Sequence, residues 1–180
     1  MLLDAHHSCL LIIDLQGRLL PAIDGGEAIL EQAQWLLEVA QALDVPVLCT
    51  EQYPKGLGPT DARLRARLPA SAMREKIHFS AVKGPGLFDL PGGERLQWVV
   101  CGTESHVCVL QSVLDLLAAG RQVFVVEEAV GSRRARDKAL ALARMAQAGA
   151  QIVSREMVAF EWLGQAGDER FKRISRGFIR

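Results

Sequence analysis

The chain has 180 residues, 49% of them apolar, and its 21 basic residues balance its 21 acidic ones. This composition excludes intrinsic disorder, because an apolar content this high can fill a sizeable core. Zero net charge removes the general attraction to nucleic acid or to an anionic membrane, so we expect neither as a partner. The basic runs at 132–138 and 170–180 are interpreted as solvated faces.

Short apolar runs alternate with amphipathic stretches along the chain. The runs at 8–15, 45–50, 96–102, 121–127 and 150–154 are continuous and rich in Val, Ile and Leu, which is typical of strands buried on both faces. The stretches at 25–43, 107–120 and 132–150 have helical spacing, with Gly120 ending the second, Ser132 capping the third and Gly149 ending it. This alternation predicts one α/β domain over residues 1–180, with a parallel sheet between two layers of helices.

The segment from 51 to 95 is less regular than the rest of the chain. It contains five of the seven prolines, together with many glycines. A helix near 60–68 and a short strand near 76–80 are compatible with its pattern.

No stretch reaches the roughly 18 apolar residues that cross a bilayer. The N-terminus has Asp4 where a signal peptide would be basic, so we expect a cytoplasmic protein. Its cysteines Cys9, Cys49, Cys101 and Cys108 form no close pair, so we predict four free thiols. No metal-ligand spacing occurs, and we expect neither a metal nor another cofactor.

Polar residues follow the ends of several predicted strands. Asp14 and Gln16 end the first strand, residues 50–52 end the second, and residues 102–108 follow the strand at 96–102. Ligands of a parallel α/β sheet bind beyond the carboxyl ends of its strands. These residues are therefore predicted to meet at one edge of the sheet.

Cys108 lies where the second amphipathic stretch begins. Unpaired N–H groups and the helix dipole favour a thiolate there, so we predict a pKa below the usual value of about 8.5 and a nucleophilic role. The same N–H groups are suited to hold an oxyanion. The alternative is a small buried apolar residue, which suits the other three cysteines.

Asp14 and Lys76 are the candidate partners of this thiol. A carboxylate beside an apolar strand needs a partner or a function, although each residue taken alone is equally compatible with a structural or solvated role. In a buried Asp–Lys–Cys group, the ammonium would offset the negative charges and the carboxylate would accept the thiol proton. Among the histidines, only His106 is placed to line a pocket beside Cys108.

Four segments together resemble the isochorismatase-like hydrolases: LLIIDLQGRLLPAI, TEQYPKGLGPT, KIHFSAV and GTESHVCVLQSVLDLLAAG. The resemblance implies a three-layer α/β/α fold with a six-stranded, mostly parallel, Rossmann-like sheet. It also implies a cysteine-hydrolase triad of Asp14, Lys76 and Cys108. A cis peptide between Thr103 and Glu104 is implied as well, with the N–H groups of Glu104 and Cys108 forming the oxyanion hole.

The chain departs from the metal-binding nicotinamidase branch of this family. The stretch CTEQYPKGLG lacks the histidines of that branch. This absence supports the expectation of no catalytic metal. Isochorismate-type hydrolysis can proceed without a cysteine nucleophile, so the presence of Cys108 favours a hydrolase that attacks a small amide-like C–N bond through a thioester. The alternatives are isochorismate-type vinyl-ether hydrolysis and a catalytically idle scaffold or interaction protein.

Several further residues are candidates for contacts with substrate or with a second subunit. The predicted substrate pocket comprises Gln16, Leu19, Leu20, Gln52, Tyr53 and His106, with Trp162 as a candidate for the pocket, the core or an interface. The C-terminal segment carries more aromatic residues than a solvated tail needs, namely Phe160, Trp162, Phe171 and Phe178. Together with the family resemblance, these aromatic residues predict a homo-oligomer, with a dimer as the smallest unit.

Overall fold

A computed structural model describes residues 1–179 and contains one sheet of six parallel strands. The strands are β1 (Ser8–Ile13), β2 (Val47–Gln52), β3 (Met73–Lys76), β4 (Gln97–Thr103), β5 (Gln122–Gly131) and β6 (Gln151–Val153). Their order across the sheet is β3-β2-β1-β4-β5-β6. The central strands β1 and β4 are buried throughout, which explains their continuous apolar sequences.

Helices cover both faces of the sheet, which confirms the predicted three-layer α/β/α fold. They are α1 (Gly26–Ala42), α2 (Pro54–Leu57), α3 (Ala62–Arg65), α4 (Leu110–Ala118), α5 (Ala135–Gln147), α6 (Arg155–Leu163) and α7 (Glu169–Ile174). Alternate residues of β1 enter the two core layers: Leu10 and Ile12 pack with α1 and α6, whereas Leu11 and Ile13 pack with α4 and α5.

Two predicted elements differ from the structure. The third strand occupies 73–76 rather than 76–80, and the side chains that follow it, Ile77 and Phe79, are 76% and 51% exposed. Their apolar alternation belongs to a surface loop, and Lys76 consequently ends the strand instead of beginning it. Likewise, Ser132 does not cap α5: β5 extends to Gly131, and the buried Ser132 hydroxyl contacts His106.

Two of the four aromatic residues of the C-terminal segment contact the body of the chain. Trp162 is buried in the core layer beneath α1 and lies beside residues 2–6, which precede β1, and Phe178 packs edge-on against Trp35. Of the four aromatic residues from which a subunit interface was predicted, only Phe160 is highly exposed. These side chains therefore do not form the apolar surface that the prediction assumed. No helix among residues 1–179 has both the length and the hydropathy needed to cross a bilayer.

Gly102 has to be a glycine because β1 passes beside it. It adopts a positive φ of 126°, and a Cβ at this position would collide with the backbone of Ile13. We therefore expect Gly102→Ala to lower the free energy of unfolding by at least about 3 kcal/mol. The matched control is Gly120→Ala, which also has a positive φ but has open space around the added carbon. Equal destabilisation of the two variants in urea would contradict this explanation.

Candidate functional site

The carboxyl ends of four adjacent strands bring the candidate residues together. Asp14 follows β1, Thr50 lies in β2, Lys76 ends β3, and the segment 104–108 follows β4. Because the strands are parallel, these four ends share one edge of the sheet. The sequence predicted this for the ends of β1, β2 and β4, whereas Lys76 was expected to begin its strand.

Asp14 and Lys76 form a buried ion pair. The Lys76 ammonium lies 2.7 Å from Asp14 Oδ2, and the two residues are 4% and 0% exposed. The Thr50 hydroxyl donates to the other carboxylate oxygen at 2.7 Å. Burial raises the pKa of Asp14, while the charge of the Lys76 ammonium and the hydrogen bonds from Lys76, Thr50 and Cys108 act in the opposite direction. The backbone of Asp14 has a positive φ of 51°, a strained conformation of the kind that concentrates at functional sites.

The Lys76 ammonium has three acceptors among residues 1–179. Besides Asp14, it donates to Gln52 Oε1 at 2.7 Å and to the carbonyl oxygen of Phe79 at 3.0 Å. An ammonium has three N–H donors, so these contacts use its full capacity and fix its position. Gln52 is held in turn, because its Nε2 donates to the carbonyl oxygen of Ile77 at 2.9 Å.

Cys108 lies in a π-helical turn, Ser105–Val109, that leads directly into α4. The Ser112 hydroxyl donates to the Cys108 carbonyl oxygen at 2.6 Å and accepts from the N–H of Ala81. This contact ties the cysteine turn to the loop after β3. Cys108 is buried, with 6% of the residue exposed, whereas Cys9, Cys49 and Cys101 are fully buried. All four cysteines are free thiols, as predicted.

The predicted lowering of the Cys108 pKa is wrong. Burial and then the Asp14 carboxylate raise the pKa of this thiol to about 12, and the Lys76 ammonium only partly opposes them. The helix start and the Lys76 ammonium were the reasons for the predicted lowering, and the loss of hydration, which disfavours a buried thiolate, outweighs them. The thiol is therefore neutral at pH 7.

The backbone that precedes Cys108, at Thr103 and Glu104, has two features that bear on the site. The peptide bond between Thr103 and Glu104 is cis, as the resemblance implied, and the Thr103 hydroxyl donates to the carbonyl oxygen of Asp14 at 2.9 Å. Within residues 1–179, no group accepts a hydrogen bond from the backbone N–H of Glu104. This N–H is thus available to another acceptor.

Two of the predicted pocket residues, Gln16 and Gln52, form hydrogen bonds within the protein. The Gln16 side chain is fully buried, donates to the carbonyl oxygens of Gln52 and Gly58, and accepts from the N–H of Gln52. Its hydrogen bonds fix the segment that follows β2. Gln52 holds Lys76 as described above. The Gln16 amide uses both of its N–H donors in these bonds, whereas, within residues 1–179, the Gln52 amide donates one N–H to Ile77 and keeps the other.

The other four predicted pocket residues have different positions. Leu20 belongs to the core layer under α1, and Leu19 packs against that layer. Tyr53 is exposed, and its ring lies over Gly56. The Nδ1 of His106 lies 2.9 Å from the Ser132 hydroxyl.

Two cavities flank this edge of the sheet. The larger, about 610 Å³, is lined by Tyr53, Pro54, Lys55, Glu75, Lys76, Ile77, His78, Lys83 and Pro85. A smaller one, about 290 Å³, is lined by His106, Arg133, Arg134 and Asp137. Lys76 is the member of the candidate triad that reaches the larger cavity, and His106 borders the smaller one next to the cysteine turn. Among residues 1–179, no three His, Cys, Asp or Glu side chains cluster as metal ligands do.

Some contacts at this site could not be read from the sequence. Thr50 lies at a predicted strand end, which was a usable signal, but nothing pointed to Ser112 or to the main-chain oxygen of Phe79. Ser112 lies four residues after Cys108, the spacing at which a helical serine hydroxyl reaches back to a carbonyl oxygen. That spacing is common in helices and therefore carries little information by itself.

The architecture is that of an open parallel α/β protein with its candidate site beyond the carboxyl ends of the strands. The family model described as the isochorismatase domain matches residues 8–157, and the chain belongs to the isochorismatase family of hydrolases.

Relatives of known name cover nearly the whole chain. Isochorismatase domain-containing protein 2A of Mus musculus is 42% identical over 173 residues, which are 94% of this chain and 81% of that protein. Isochorismatase domain-containing protein 2 of Homo sapiens is 39% identical, covering 94% and 82%.

Solved structures agree with this assignment. The MAR1 ribonuclease from Caenorhabditis elegans has a TM-score of 0.91 and 31% identity, covering 100% of this chain and 93% of that one. The YcaC gene product from Escherichia coli, described as an octameric hydrolase of unknown specificity, has a TM-score of 0.86 and 25% identity, covering 92% and 83%.

Proposed function

We propose that this protein hydrolyses a small amide-like molecule at a C–N bond, with Cys108 as the nucleophile and a thioester as the intermediate. The observation that carries the proposal is the buried Asp14–Lys76 pair beside a slightly exposed thiol, at the edge where parallel α/β sheets bind ligands. Burial removes the hydration of both charges, and this loss can exceed the stabilisation that the pair provides, so a functional role explains the pair better than a contribution to stability.

Acylation begins with proton transfer from the thiol. The Asp14 carboxylate accepts the proton of Cys108 while the sulfur attacks the substrate carbonyl carbon, and the carbonyl electrons move to oxygen. The N–H groups of Glu104 and Cys108 hold this oxyanion. When the oxyanion reforms the carbonyl, the C–N bond breaks, and Asp14 returns its proton to the leaving nitrogen.

Deacylation repeats these steps with water. Asp14 takes a proton from water, the resulting hydroxyl attacks the thioester carbon, and the C–S bond breaks. The sulfur regains its proton from Asp14, and a carboxylic acid leaves.

The direction of the pKa shifts supports these roles. A pKa of Cys108 raised to about 12 means that the thiol needs a base at neutral pH. A raised pKa of Asp14 makes that carboxylate a stronger base than an exposed aspartate. Lys76, with all three N–H donors in use, acts by holding Asp14 ionised and in place.

The larger cavity supports a small, partly apolar substrate. Tyr53 and Ile77 provide its exposed apolar wall, next to Lys76. We include Tyr53 as a substrate-contacting residue in this cavity and His106 as one on the side of the smaller cavity, and we place Gln16 and Gln52 in positioning roles.

Incubation with a panel of small amides, followed by intact-mass analysis, tests the proposal. We expect an acyl adduct on Cys108 with at least one amide, together with release of the corresponding amine. Isochorismate and a short RNA complete the panel, because of the family's name and because the similar worm protein is called a ribonuclease. The proposal would be contradicted if isochorismate or the RNA were turned over without an adduct and at the same rate by Cys108→Ala. It would also be contradicted if no compound gave turnover or an adduct, which is the result that the idle-scaffold alternative predicts.

We also propose that the protein forms a homo-oligomer. Ile77 and Phe79 are large apolar side chains exposed next to the edge strand β3, and the similar Escherichia coli protein is described as octameric. Sedimentation at micromolar concentration should therefore give a mass of at least twice the 19.7 kDa of one chain.

A further inference from the structure

Two contacts connect the cysteine turn to the end of β5. Arg133 Nε lies 2.7 Å from Glu104 Oε1, and the Ser132 hydroxyl lies 2.9 Å from Nδ1 of His106. Glu104 and His106 flank Ser105 in the segment that leads to Cys108. Two consecutive residues after β5, Ser132 and Arg133, therefore contact the segment that leads to the candidate nucleophile.

The residues that make these contacts are themselves firmly placed. Gly131 pairs with Thr103 in the sheet, and a Cβ on Gly131 would collide with the side chain of Ile29 in α1. Ser132 is buried, and its carbonyl oxygen accepts from the N–H of Asp24 at 3.0 Å. Ser132 and Arg133 therefore extend from a rigid strand end, from which a contact can fix the orientation of a neighbouring turn.

The carboxylate of Glu104 poses an electrostatic problem for the mechanism. Its side chain is only 13% exposed, and it belongs to the residue whose backbone N–H is proposed to hold the oxyanion. A second negative charge near a developing oxyanion raises the energy of the transition state. The Arg133 guanidinium neutralises that charge at its source, and this ion pair raises the pKa of Arg133.

We propose that Ser132 and Arg133 are positioning residues for the oxyanion hole: Arg133 neutralises and orients Glu104, and Ser132 orients the turn through His106. This inference rests on the proposed function, because it assigns these residues to acyl transfer at Cys108. It also gives a purpose to the first two residues of the basic run 132–138, which the sequence alone indicated to be a solvated face.

The test compares two reactions of the same thiol. Acetylation by p-nitrophenyl acetate passes through an oxyanion: sulfur bonds to the acetyl carbon, the thiol proton goes to Asp14, and nitrophenolate leaves. Alkylation by iodoacetamide displaces iodide at a CH₂ group and forms no oxyanion. The ratio of the two single-turnover rate constants, measured at Cys108 by peptide mass mapping, isolates the oxyanion hole from general changes in the access or acidity of the thiol.

We expect Arg133→Met to lower this ratio about fivefold, the upper range for a partly exposed ion pair. Ser132→Ala should lower it roughly threefold to tenfold through loss of one hydrogen bond. Arg133→Lys should recover most of the ratio, because it keeps the charge. The matched control is Arg134→Met, which changes the neighbouring arginine that makes no ion pair among residues 1–179.

A double variant shows whether Arg133 acts by neutralising the Glu104 carboxylate or only by packing against the turn. In Glu104→Gln the carboxylate is gone, so adding Arg133→Met should have a smaller effect than Arg133→Met alone. An unchanged ratio in both Arg133→Met and Ser132→Ala, with wild-type Cys108 acetylated normally, would overturn the inference and leave the proposed function intact. Failure of wild-type Cys108 to become acetylated would instead overturn the proposed function.

Discussion

Replacement of Cys108 by alanine is expected to abolish turnover while leaving the fold intact. Without the sulfur no thioester can form, and loss of a nucleophile commonly lowers kcat by about 10⁴-fold or more. The change removes one atom from a side chain that already touches solvent, so the free energy of unfolding should fall by no more than about 1 kcal/mol. Hydrolysis of an amide from the active panel and urea unfolding measure the two quantities.

Cys101→Ala is the matched control for this variant. Cys101 is a fully buried thiol in the core layer under α1, and burial raises its pKa strongly. Its removal should cost at least as much stability as removal of Cys108 and leave kcat nearly unchanged. Wild-type turnover by Cys108→Ala would eliminate Cys108 as the nucleophile. We further expect limited iodoacetamide treatment to label Cys108 before the other three cysteines, because Cys108, at 6% exposure, is the least deeply buried of the four and lies beside a base.

Breaking the Asp14–Lys76 pair is expected to damage both stability and activity. Lys76→Met leaves the Asp14 carboxylate buried without its cation, and removal of one partner from a buried pair typically costs about 3–5 kcal/mol. Asp14→Asn likewise leaves the ammonium without its counter-charge. Because the residues interact directly, the double variant should be more stable than the sum of the two single losses predicts. Urea unfolding of the wild type and three variants completes this cycle.

The same two variants should shift the Cys108 pKa in opposite directions. Asp14 raises the pKa of this thiol and Lys76 lowers it. Asp14→Asn is therefore expected to make the thiol more acidic yet leave the protein inactive, because the proton acceptor is lost. Lys76→Met should make it less acidic. The rate constant for alkylation of Cys108 by iodoacetamide at mildly alkaline pH follows the thiolate fraction and distinguishes the two, with Cys108→Ala as the blank. Equal rate constants in both variants would mean that the three side chains do not act as one group.

The strand-and-helix pattern was predictable because each central strand is buried on both faces. A continuous apolar run such as that of β1 is stable in the interior of a parallel sheet, where both of its faces are covered. In the helices between the strands, the spacing of the apolar residues indicates which face is buried. The irregular segment from 51 to 95 was harder to predict. Ile77 and Phe79 alternate as a strand would, yet they are exposed in a loop, because periodicity does not reveal whether a partner strand is present.

For the candidate site, the sequence by itself determined which side chains lie at the edge of the sheet. Asp14, Gln52 and Cys108 follow or end apolar strands, and parallel topology brings those ends together. It also determined the family, through several motifs in a characteristic order.

Only the tertiary structure decided what each of these groups does. Gln52 could have faced a substrate, but in the structure it holds Lys76, a residue 24 positions later in the chain, and local sequence does not reveal this contact. The sign of the Cys108 pKa shift depends on hydration and on a carboxylate from a different strand, neither of which local sequence contains. Ser132 was predicted to cap a helix because serine is common there, but β5 continues to Gly131 and carries Ser132 to His106. Charge, hydration and hydrogen bonding act through space, so residues far apart in sequence set them, and local pattern specifies only the elements that bring those residues together.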